Sequence, residues 1–249
     1  MHKSINAHVL PARIQGALHR LKGIPCQDAY CYKRLKNKFI AVVSDGAGSA
    51  KHGKTGARII CTTLCDLLAN SNLQNIQSDV VRAINIARQK LVLHRQNKSK
   101  STDDLYNFSA TLLGVFYSHG KGIFFHIGDG AGLAFCNDAL DNLIISEPQN
   151  GAFSCETFFY TMDNWQENLR FTEFENMNRI MLMTDGVTSF VFADDFYRLQ
   201  KKFLEPIVKY LENENNKSRA LQALRNTLND SRAQHINADD KTLLWAKIS

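Results

Sequence analysis

Two strongly apolar segments of this sequence end abruptly at an Asp-Gly dipeptide. Residues 38–44 (KFIAVVS) precede Asp45-Gly46, and residues 179–184 (RIMLMT) precede Asp185-Gly186. Short apolar runs rich in β-branched residues are typical of buried strands, and Asp-Gly is typical of the turn that ends a strand. Each aspartate is therefore expected at the rim of a buried sheet, where rigid backbone holds its carboxylate.

The remaining segments alternate between strand and helix patterns. Further strands are predicted from short apolar runs at 110–118, 122–127, 131–136 and 242–248. Helices are predicted where apolar residues recur every three or four positions, from Gly53, from Ser78, at 194–212 and at 218–232. The first two of these strands are separated only by a short His-Gly-Lys turn, which indicates an antiparallel hairpin, and 96–104 is predicted to be a loop. Antiparallel links and paired helices predict an α+β fold, with a β-sandwich core flanked by helices.

Length and composition favour a single domain over residues 1–249. The chain is 44% hydrophobic and shows no break in composition, no internal repeat and no Gly- or Pro-rich linker. Its net charge is +6, but the Lys and Arg residues are scattered, and the densest group, 33–38, is interpreted as a solvated basic turn. Without a basic stripe or an aromatic stacking platform, the charge does not predict a nucleic-acid partner.

Cysteine usage and hydropathy predict a reduced, cytoplasmic protein. None of the six cysteines forms a CxxC pair or lies near a His at zinc-ligand spacing, and Cys61 and Cys65 fit the apolar face of a helix. The first residues lack the apolar stretch of a signal peptide. No run approaches the roughly 20 apolar residues of a membrane span, so no membrane association is expected.

Acidic residues recur at the ends of the predicted strands. Three belong to Asp-Gly steps, one pair directly precedes the last strand, and one follows GIPCQ: Asp45, Asp129, Asp185, Asp239-Asp240 and Asp28. One Asp-Gly step alone indicates only a turn. Several strand ends can, however, converge on one place, where clustered carboxylates would repel one another and be costly to bury. Divalent cations remove that repulsion, and hard oxygen ligands select Mg²⁺ or Mn²⁺ over zinc.

Such a pair of cations has a well-defined chemistry. Two divalent ions about 3.5–4 Å apart can bridge a water molecule, lower its pKa and neutralise a phosphoryl group during in-line displacement. The reaction then depends on positioning and positive charge more than on a covalent nucleophile.

Six segments, in this order, resemble the motif series of the metal-dependent protein serine/threonine phosphatases, the type 2C family, and especially its bacterial-type branch. They are CQDAY (26–30), FIAVVSDGAGS (39–49), SATLLGVF (109–116), HIGDGAGL (126–133), IMLMTDGVTSF (180–190) and ADDKTLL (238–244). The resemblance spans about residues 8 to 248. It implies a four-layer α-β-β-α sandwich of two antiparallel sheets flanked by helices. It also implies hydrolysis of phosphoserine and phosphothreonine in proteins by a water that bridges two Mn²⁺ or Mg²⁺ ions.

The resemblance also implies a set of metal ligands. Asp45 would bridge both ions, and Gly46 would offer its carbonyl oxygen to one of them. Asp185 and Asp240 would complete the ligands of the other ion. Asp28 would hold metal-bound water, either as a metal ligand itself or by a contact from outside the set of ligands.

Two further aspartates are treated differently. Asp129 would match the family's aspartate for a weaker third metal, which it would share with Asp185. Asp239 is left as a capping or surface acid, because the family's ligand is aligned with Asp240.

One departure from the family concerns the substrate phosphate. The family often has an Arg five residues before the aspartate of the first motif, and here that position is Gly23. Lys22, Arg20 or Arg13 is the predicted substitute, and His19 is nearby.

A second departure concerns the general acid. Some members place a His just after the first Asp-Gly, where this chain has Ala47. His52 is a candidate that would act through water, and His126 is expected to be a sheet residue. Residues 137–178 fall where the family has a variable flap.

Partners follow from the same resemblance: a phosphorylated protein substrate and a cognate Ser/Thr kinase, with the chain acting as a monomer. Two alternatives stay open. The missing Arg allows a catalytically inactive regulatory or binding module, and the basic charge allows a two-metal nuclease or phosphodiesterase.

Overall fold

The structure is a computed structural model, and it describes residues 5–97, 104–136, 140, 142–150, 157–193 and 198–249. The elements of its first half are β1 (Ala7–Ile14), α1 (Ala17–Leu21), β2 (Ala29–Leu35), β3 (Lys38–Ser44), α2 (Gly53–Leu68), α3 (Ile76–Asn97), a 3₁₀ helix (Leu105–Phe108), β4 (Leu112–Ser118) and β5 (Lys121–Ile127). Those of its second half are β6 (Ala131–Phe135), β7 (Ile144–Ser146), β8 (Arg170–Glu175), β9 (Arg179–Met183), α4 (Asp185–Val191), α5 (Lys201–Asn213), α6 (Lys217–Asn229), α7 (Ser231–Ile236) and β10 (Lys241–Ile248).

The strands form two antiparallel sheets of five strands each. Their orders are β1-β10-β9-β6-β7 and β2-β3-β4-β5-β8. The predicted hairpin is present as β4 and β5, and the two residues between them, His119 and Gly120, have positive φ angles of 52° and 79°. Positive φ at both central residues matches the right-handed twist of the flanking strands. The α+β class and the two antiparallel sheets are thus confirmed.

Three apolar layers explain why the central strands are apolar on both faces. Successive side chains of a strand point to opposite faces of its sheet. β3 therefore places Phe39 between the two sheets and Ile40 against α2 and α3. β9 places Leu182 between the sheets and Met183 in the layer that it shares with α4, α5 and α6. The layers run helix, sheet, sheet, helix, so both strands need continuous apolar runs.

The helices agree with the predicted pattern in their interiors and differ at their ends. α2 begins at Gly53 as predicted, and Cys61 and Cys65 are buried on its inner face. α3 begins at Ile76, two residues before Ser78, whose hydroxyl donates to the Asn75 carbonyl instead of capping the helix. Of the loop predicted at 96–104, residues 96 and 97 belong to α3, and residues 98–103 lie outside the described residues.

Both predicted C-terminal helices have wrong boundaries. The first was expected from 194 but begins at Lys201, because Phe192 and Leu199 pair in a β-bridge; residues 194–197 lie outside the described residues. The second was expected over 218–232 but is divided at Asp230, whose carboxylate accepts from the Arg232 backbone N–H and starts α7. Pairing across a loop and a side-chain cap are both invisible to apolar periodicity.

The segment expected to form a flap, 137–178, also contributes strands. β7 pairs with β6, and β8 pairs with β5, so each sheet gains an edge strand from it. The described residues 157–169 lie between these two strands in sequence. In the described part of the chain, no helix combines the length and apolarity needed to cross a membrane.

Strand ends meet at one end of the sandwich. In one sheet Ser44, the last residue of β3, pairs with Ala29, the first of β2. In the other, Met183, the last residue of β9, pairs with Leu243 near the start of β10 and with Ala131 at the start of β6. The antiparallel register therefore brings the segments that precede β2, β6 and β10 next to those that follow β3 and β9.

Candidate metal centre

A cavity of about 460 Å³ opens at this end of the sandwich. Four aspartates from four separate segments of the chain line it: Asp45, Asp129, Asp185 and Asp239. Small residues at 47–49 and apolar or aromatic side chains form the rest of the wall. Among the described residues, no Lys or Arg lines this cavity. The fold thus concentrates negative charge in one place without a basic side chain to offset it.

Asp45 directly follows β3 and is anchored by its backbone. Its N–H donates to the Thr111 hydroxyl at 2.9 Å, and its carbonyl accepts from the Thr111 N–H at 2.8 Å. Gly46 is required by close packing, since a Cβ there would lie 2.3 Å from the carbonyl carbon of Gly53 at the start of α2. Burial raises the pKa of Asp45 well above its usual value, and the charges of Asp185 and Asp28 raise it further.

Asp28 lies next to Asp45. It is buried just before β2, and its Oδ2 accepts from the hydroxyls of Thr184 at 2.8 Å and Thr242 at 2.7 Å. Its carboxyl group is in contact with that of Asp45. Desolvation raises the pKa of Asp28 to about 6, despite these hydrogen bonds. A carboxylate at the start of one sheet is thus held by two hydroxyls of the other sheet and faces a second carboxylate.

Asp185 and Asp129 complete the opposite wall. Asp185 is the first residue of α4, and burial, followed by the charges of Asp129 and Asp239, raises its pKa well above the usual value. Asp129 accepts from the Thr157 hydroxyl at 2.6 Å, and burial raises its pKa as well. These shifts share one physical cause, the removal of several like charges from water.

The arrangement fits divalent cations. Asp28, Asp129 and Asp185 each keep a buried Oδ1 that has no hydrogen-bond donor among the described residues. Buried carboxylate oxygens without donors are costly, and the raised pKa values express that cost. A cation would satisfy these oxygens and remove the repulsion. An all-oxygen donor set favours Mg²⁺ or Mn²⁺ over zinc.

The structure revises the expectation for the acidic pair before β10. Both oxygens of Asp240 are already used: Oδ1 accepts from the Gly16 N–H at 2.7 Å, and Oδ2 accepts from the Gln27 N–H at 2.6 Å. His19 Nδ1 makes a third hydrogen bond, to Oδ2 at 2.8 Å. Asp240 is buried and does not line the cavity, whereas Asp239 does. The geometry therefore supports Asp239 as the ligand, and Asp240 as a buried hub that joins distant loops.

Gly186 shows how tightly this loop is packed. A Cβ at Gly186 would lie 1.8 Å from the Asp240 carbonyl oxygen. The glycine of this Asp-Gly step is therefore needed because the chain before β10 passes directly over it. Lys241 stabilises that passage, since its buried Nζ donates to the carbonyls of Asn237 and Asp239.

His19 is a buried residue of α1 at the edge of this site. Its Nδ1 is held by Asp240, and its Nε2 lies 4.0 Å from the position that a Cβ on Gly48 would occupy. Gly48 lines the cavity. The ring is thus oriented by a buried carboxylate, with Nε2 towards the cavity rim.

The predicted phosphate-binding residues do not line the cavity. The Arg20 guanidinium donates to the Gln15 carbonyl and to the Asn229 side chain, and Lys22 is exposed just after α1. Arg13 donates to the backbone carbonyl of Asp28 at 3.0 Å. These contacts give no support to Lys22 or Arg20 as phosphate ligands.

Two other histidines, His52 and His126, do not line the cavity. His52 packs on the Phe108 ring at 5.0 Å between ring centroids and is not among the residues that line the cavity. His126 is buried on β5, as expected, with Nδ1 3.1 Å from the Ser146 hydroxyl. Neither contact places an imidazole next to the predicted ligands.

Several residues of the site escaped the sequence interpretation. The threonines that hold the aspartates were not singled out: Thr111, Thr157, Thr184 and Thr242. Each belongs to a segment that was identified only for its strand pattern or for another residue. Asp239 was visible as one of two adjacent acids, but the alignment with the family had assigned the ligand to its neighbour Asp240.

Comparison with known proteins identifies relatives of the whole fold. A family model described as protein phosphatase 2C matches residues 15–229, which is well over half of the chain. No curated protein matches the sequence.

Solved structures with the same fold include several phosphatases. The S. agalactiae serine/threonine phosphatase is 14% identical with a TM-score of 0.70, over 98% of this chain and 100% of that one. Stp1 of Staphylococcus aureus is 15% identical with a TM-score of 0.68, over 100% and 98%. The catalytic domain of PstP, in complex with two manganese ions, is 12% identical with a TM-score of 0.65, over 98% and 99%. At such identities the similarity establishes a shared fold.

Proposed function

The chain belongs to the protein phosphatase 2C family, and we propose that it hydrolyses phosphoserine and phosphothreonine in proteins with two Mn²⁺ or Mg²⁺ ions held by its aspartate cluster. The observation that carries this proposal is the convergence of Asp45, Asp129, Asp185 and Asp239 in one cavity that no basic residue lines among the described residues. The regulatory-module alternative finds no support in this geometry, because its expected mark is the loss of an acidic ligand.

The roles of the residues follow from their positions. We assign Asp45, with the Gly46 carbonyl, to the centre of the cluster and Asp185 with Asp239 to its far side. Asp28 contacts Asp45 and is held by two threonine hydroxyls, so it orients the Asp45 carboxylate and accepts a hydrogen bond from a water molecule beside it. When bound, the two cations acidify that water and neutralise the phosphoryl oxygens.

Asp129 is assigned to a weaker third cation. Thr157 occupies its Oδ2, which leaves Oδ1 for a ligand. A third cation would be held by this single oxygen of Asp129 together with Asp185, and so less tightly than the ions of the main cluster. The third ion is therefore expected to bind only at higher metal concentration.

The absence of a cavity-lining Lys or Arg, among the described residues, bears on how phosphate is held. The positive charge that holds the substrate phosphate would come chiefly from the bound cations. Lys22 and Arg20 lie outside the cavity wall, so neither is assigned to the substrate phosphate. Substrate affinity should then depend strongly on metal concentration.

The substitution Asp45→Asn tests the proposal. We expect Mn²⁺-dependent hydrolysis of p-nitrophenyl phosphate and of a phosphothreonine peptide to fall by at least about 100-fold, since one acidic ligand at the centre is lost. Circular dichroism should show a retained fold. Full activity in this variant would exclude Asp45 as a central ligand.

Metal titration by calorimetry, run in parallel with turnover, separates the two classes of function. Loss of hydrolysis on addition of a chelator and its recovery with Mn²⁺ supports the phosphatase. Tight metal binding without turnover on any phosphopeptide would instead support a binding module. The proposal also includes a cognate Ser/Thr kinase as the source of the substrate, a monomeric state and a cytoplasmic location.

A further inference from the structure

A second cavity, of about 490 Å³, adjoins the catalytic one. Tyr106, Phe158 and Met162 line both cavities, so the two form one continuous groove. The second cavity is also lined by two acidic residues, Asp104 and Asp163. A groove that runs on from a catalytic cavity is a natural path for the chain that carries the reacting group.

Both walls of the second cavity are held in place by hydrogen bonds. On one side the Asp104 carboxylate accepts from the Leu105 N–H and caps the 3₁₀ helix that carries Tyr106. On the other side the Arg88 guanidinium donates to the carbonyls of Tyr160 and Met162, each at 2.8 Å. The groove is therefore preformed, which lowers the entropic cost of binding an extended segment.

Charge distinguishes the second cavity from the first. Bound cations would offset the aspartates of the catalytic cavity, but Asp104 has no basic neighbour among the described residues that line the groove. Asp163 lies 3.7 Å from Arg88, but its side chain stays fully exposed and Arg88 directs its hydrogen bonds to carbonyls. The second cavity thus keeps negative charge that favours a cationic ligand.

Tyr106 adds an aromatic surface at the junction of the two cavities. Its side chain is 58% exposed although it lines both of them. A guanidinium or ammonium group over such a ring gains about 0.5–1 kcal/mol at an exposed site. Aromatic and acidic groups together are the chemistry that recognises Arg or Lys.

We propose that the second cavity receives an Arg or Lys side chain of the phosphoprotein substrate, two or three residues from the phosphorylated one. A cavity of this size is about 10 Å across, and an extended peptide advances about 3.4 Å per residue, which gives that spacing. This inference rests on the proposed phosphatase function, and it specifies which phosphoproteins the enzyme prefers. An acidic residue at the same position would be repelled.

The experiment compares phosphothreonine peptides that differ only in carrying Arg or Glu at the positions two and three residues from the phosphothreonine. One set of peptides places these residues on the N-terminal side of the phosphothreonine, and a second set places them on the C-terminal side. For the native protein with Mn²⁺, we expect kcat/KM to be about 10-fold higher for Arg than for Glu in one of the sets, since two exposed ion pairs and a ring contact each contribute modestly. The preference should shrink in about 0.5 M salt, because exposed charges are screened.

The double substitution Asp104→Asn and Asp163→Asn assigns the effect to the groove. Asparagine keeps the cap acceptor at position 104, so the groove should stay formed while the charge is removed. We expect the Arg preference to fall to within about 2-fold, with p-nitrophenyl phosphate hydrolysis unchanged. The control is Asp66→Asn, which removes an exposed acidic charge on α2, outside both cavities.

The outcomes separate the two proposals. If the native protein hydrolyses all peptides alike, or if the double variant keeps the preference, the second cavity does not read a cationic residue. If neither p-nitrophenyl phosphate nor any peptide is hydrolysed, the proposed function fails. Peptide affinity, measured by fluorescence anisotropy with and without the double substitution, still decides whether the groove selects Arg over Glu in that case.

Discussion

The adjacent acids Asp239 and Asp240 can be distinguished by matched substitutions to Asn. Asp240 accepts three hydrogen bonds from the Gly16 and Gln27 N–H groups and from His19. In Asp240→Asn the new amide must face at least one of these buried donors. A hydrogen bond to a charged group contributes about 1.5–3 kcal/mol, and an unsatisfied buried donor adds a penalty of about 1–3 kcal/mol.

The expected loss for Asp240→Asn is therefore about 3–5 kcal/mol. For a chain of this length, each kcal/mol of lost stability lowers Tm by about 2–4 °C. In the presence of chelator, Asp240→Asn should therefore melt roughly 6–20 °C below the native protein. Asp239 is only half-buried, and the hydrogen bond that its carboxylate accepts from the Asp240 N–H at 2.7 Å can be taken over by the Asn oxygen. Asp239→Asn should thus leave Tm within about 2 °C.

Metal affinity should respond in the opposite order. Loss of the Asp239 carboxylate should raise the Kd for Mn²⁺ by at least about 10-fold, because even groups that only support metal ligands commonly contribute that much. Two assays check this: thermal melting in chelator, monitored by circular dichroism, and Mn²⁺ titration by calorimetry. A variant at Asp240 that melts normally yet binds Mn²⁺ weakly, together with an Asp239 variant that binds it normally, would refute the reasoning.

Two further predictions concern the metal-free protein. The pKa of Asp28 is raised to about 6, so its stabilising contribution is complete below the unfolded pKa near 4 and is lost as pH rises through about 6. In chelator, the free energy of unfolding of the native protein relative to Asp28→Asn, measured with urea, should therefore fall by on the order of 3 kcal/mol between pH 4 and pH 7. A difference that does not change with pH would contradict this. Gly186→Ala should lower Tm by about 5 °C or more, because the new Cβ would lie 1.8 Å from the Asp240 carbonyl oxygen. Gly48→Ala is its control, since that Cβ would meet nothing nearer than His19 Nε2 at 4.0 Å, and equal melting of the two variants would refute the packing argument.

The sequence by itself determined the strands of the core and the acidic character of their ends. β3 and β9 are buried on both faces, so a continuous apolar run was enough to identify each one. The aspartate that follows each of them was placed at the sheet rim by the end of the run alone. The regular spacing of apolar residues likewise predicted α2 from its first residue.

The starts of other helices depended on contacts that no local pattern contains. α5 begins late because Phe192 pairs with Leu199, and α7 is separate because Asp230 caps it. β1 and β2 were not predicted as strands, since their burial depends on which strands lie beside them. β1 pairs along its whole length with β10 at the other end of the chain.

Only the tertiary structure decided which acid faces the cavity. Asp239 and Asp240 are neighbours with the same side chain, and the choice between them depends on donors at Gly16 and Gln27, more than 200 residues away in sequence. A periodic pattern records which face of an element is apolar, but it holds no information on which distant N–H groups will surround a carboxylate. That information exists only when the loops at this end of the two sheets have come together.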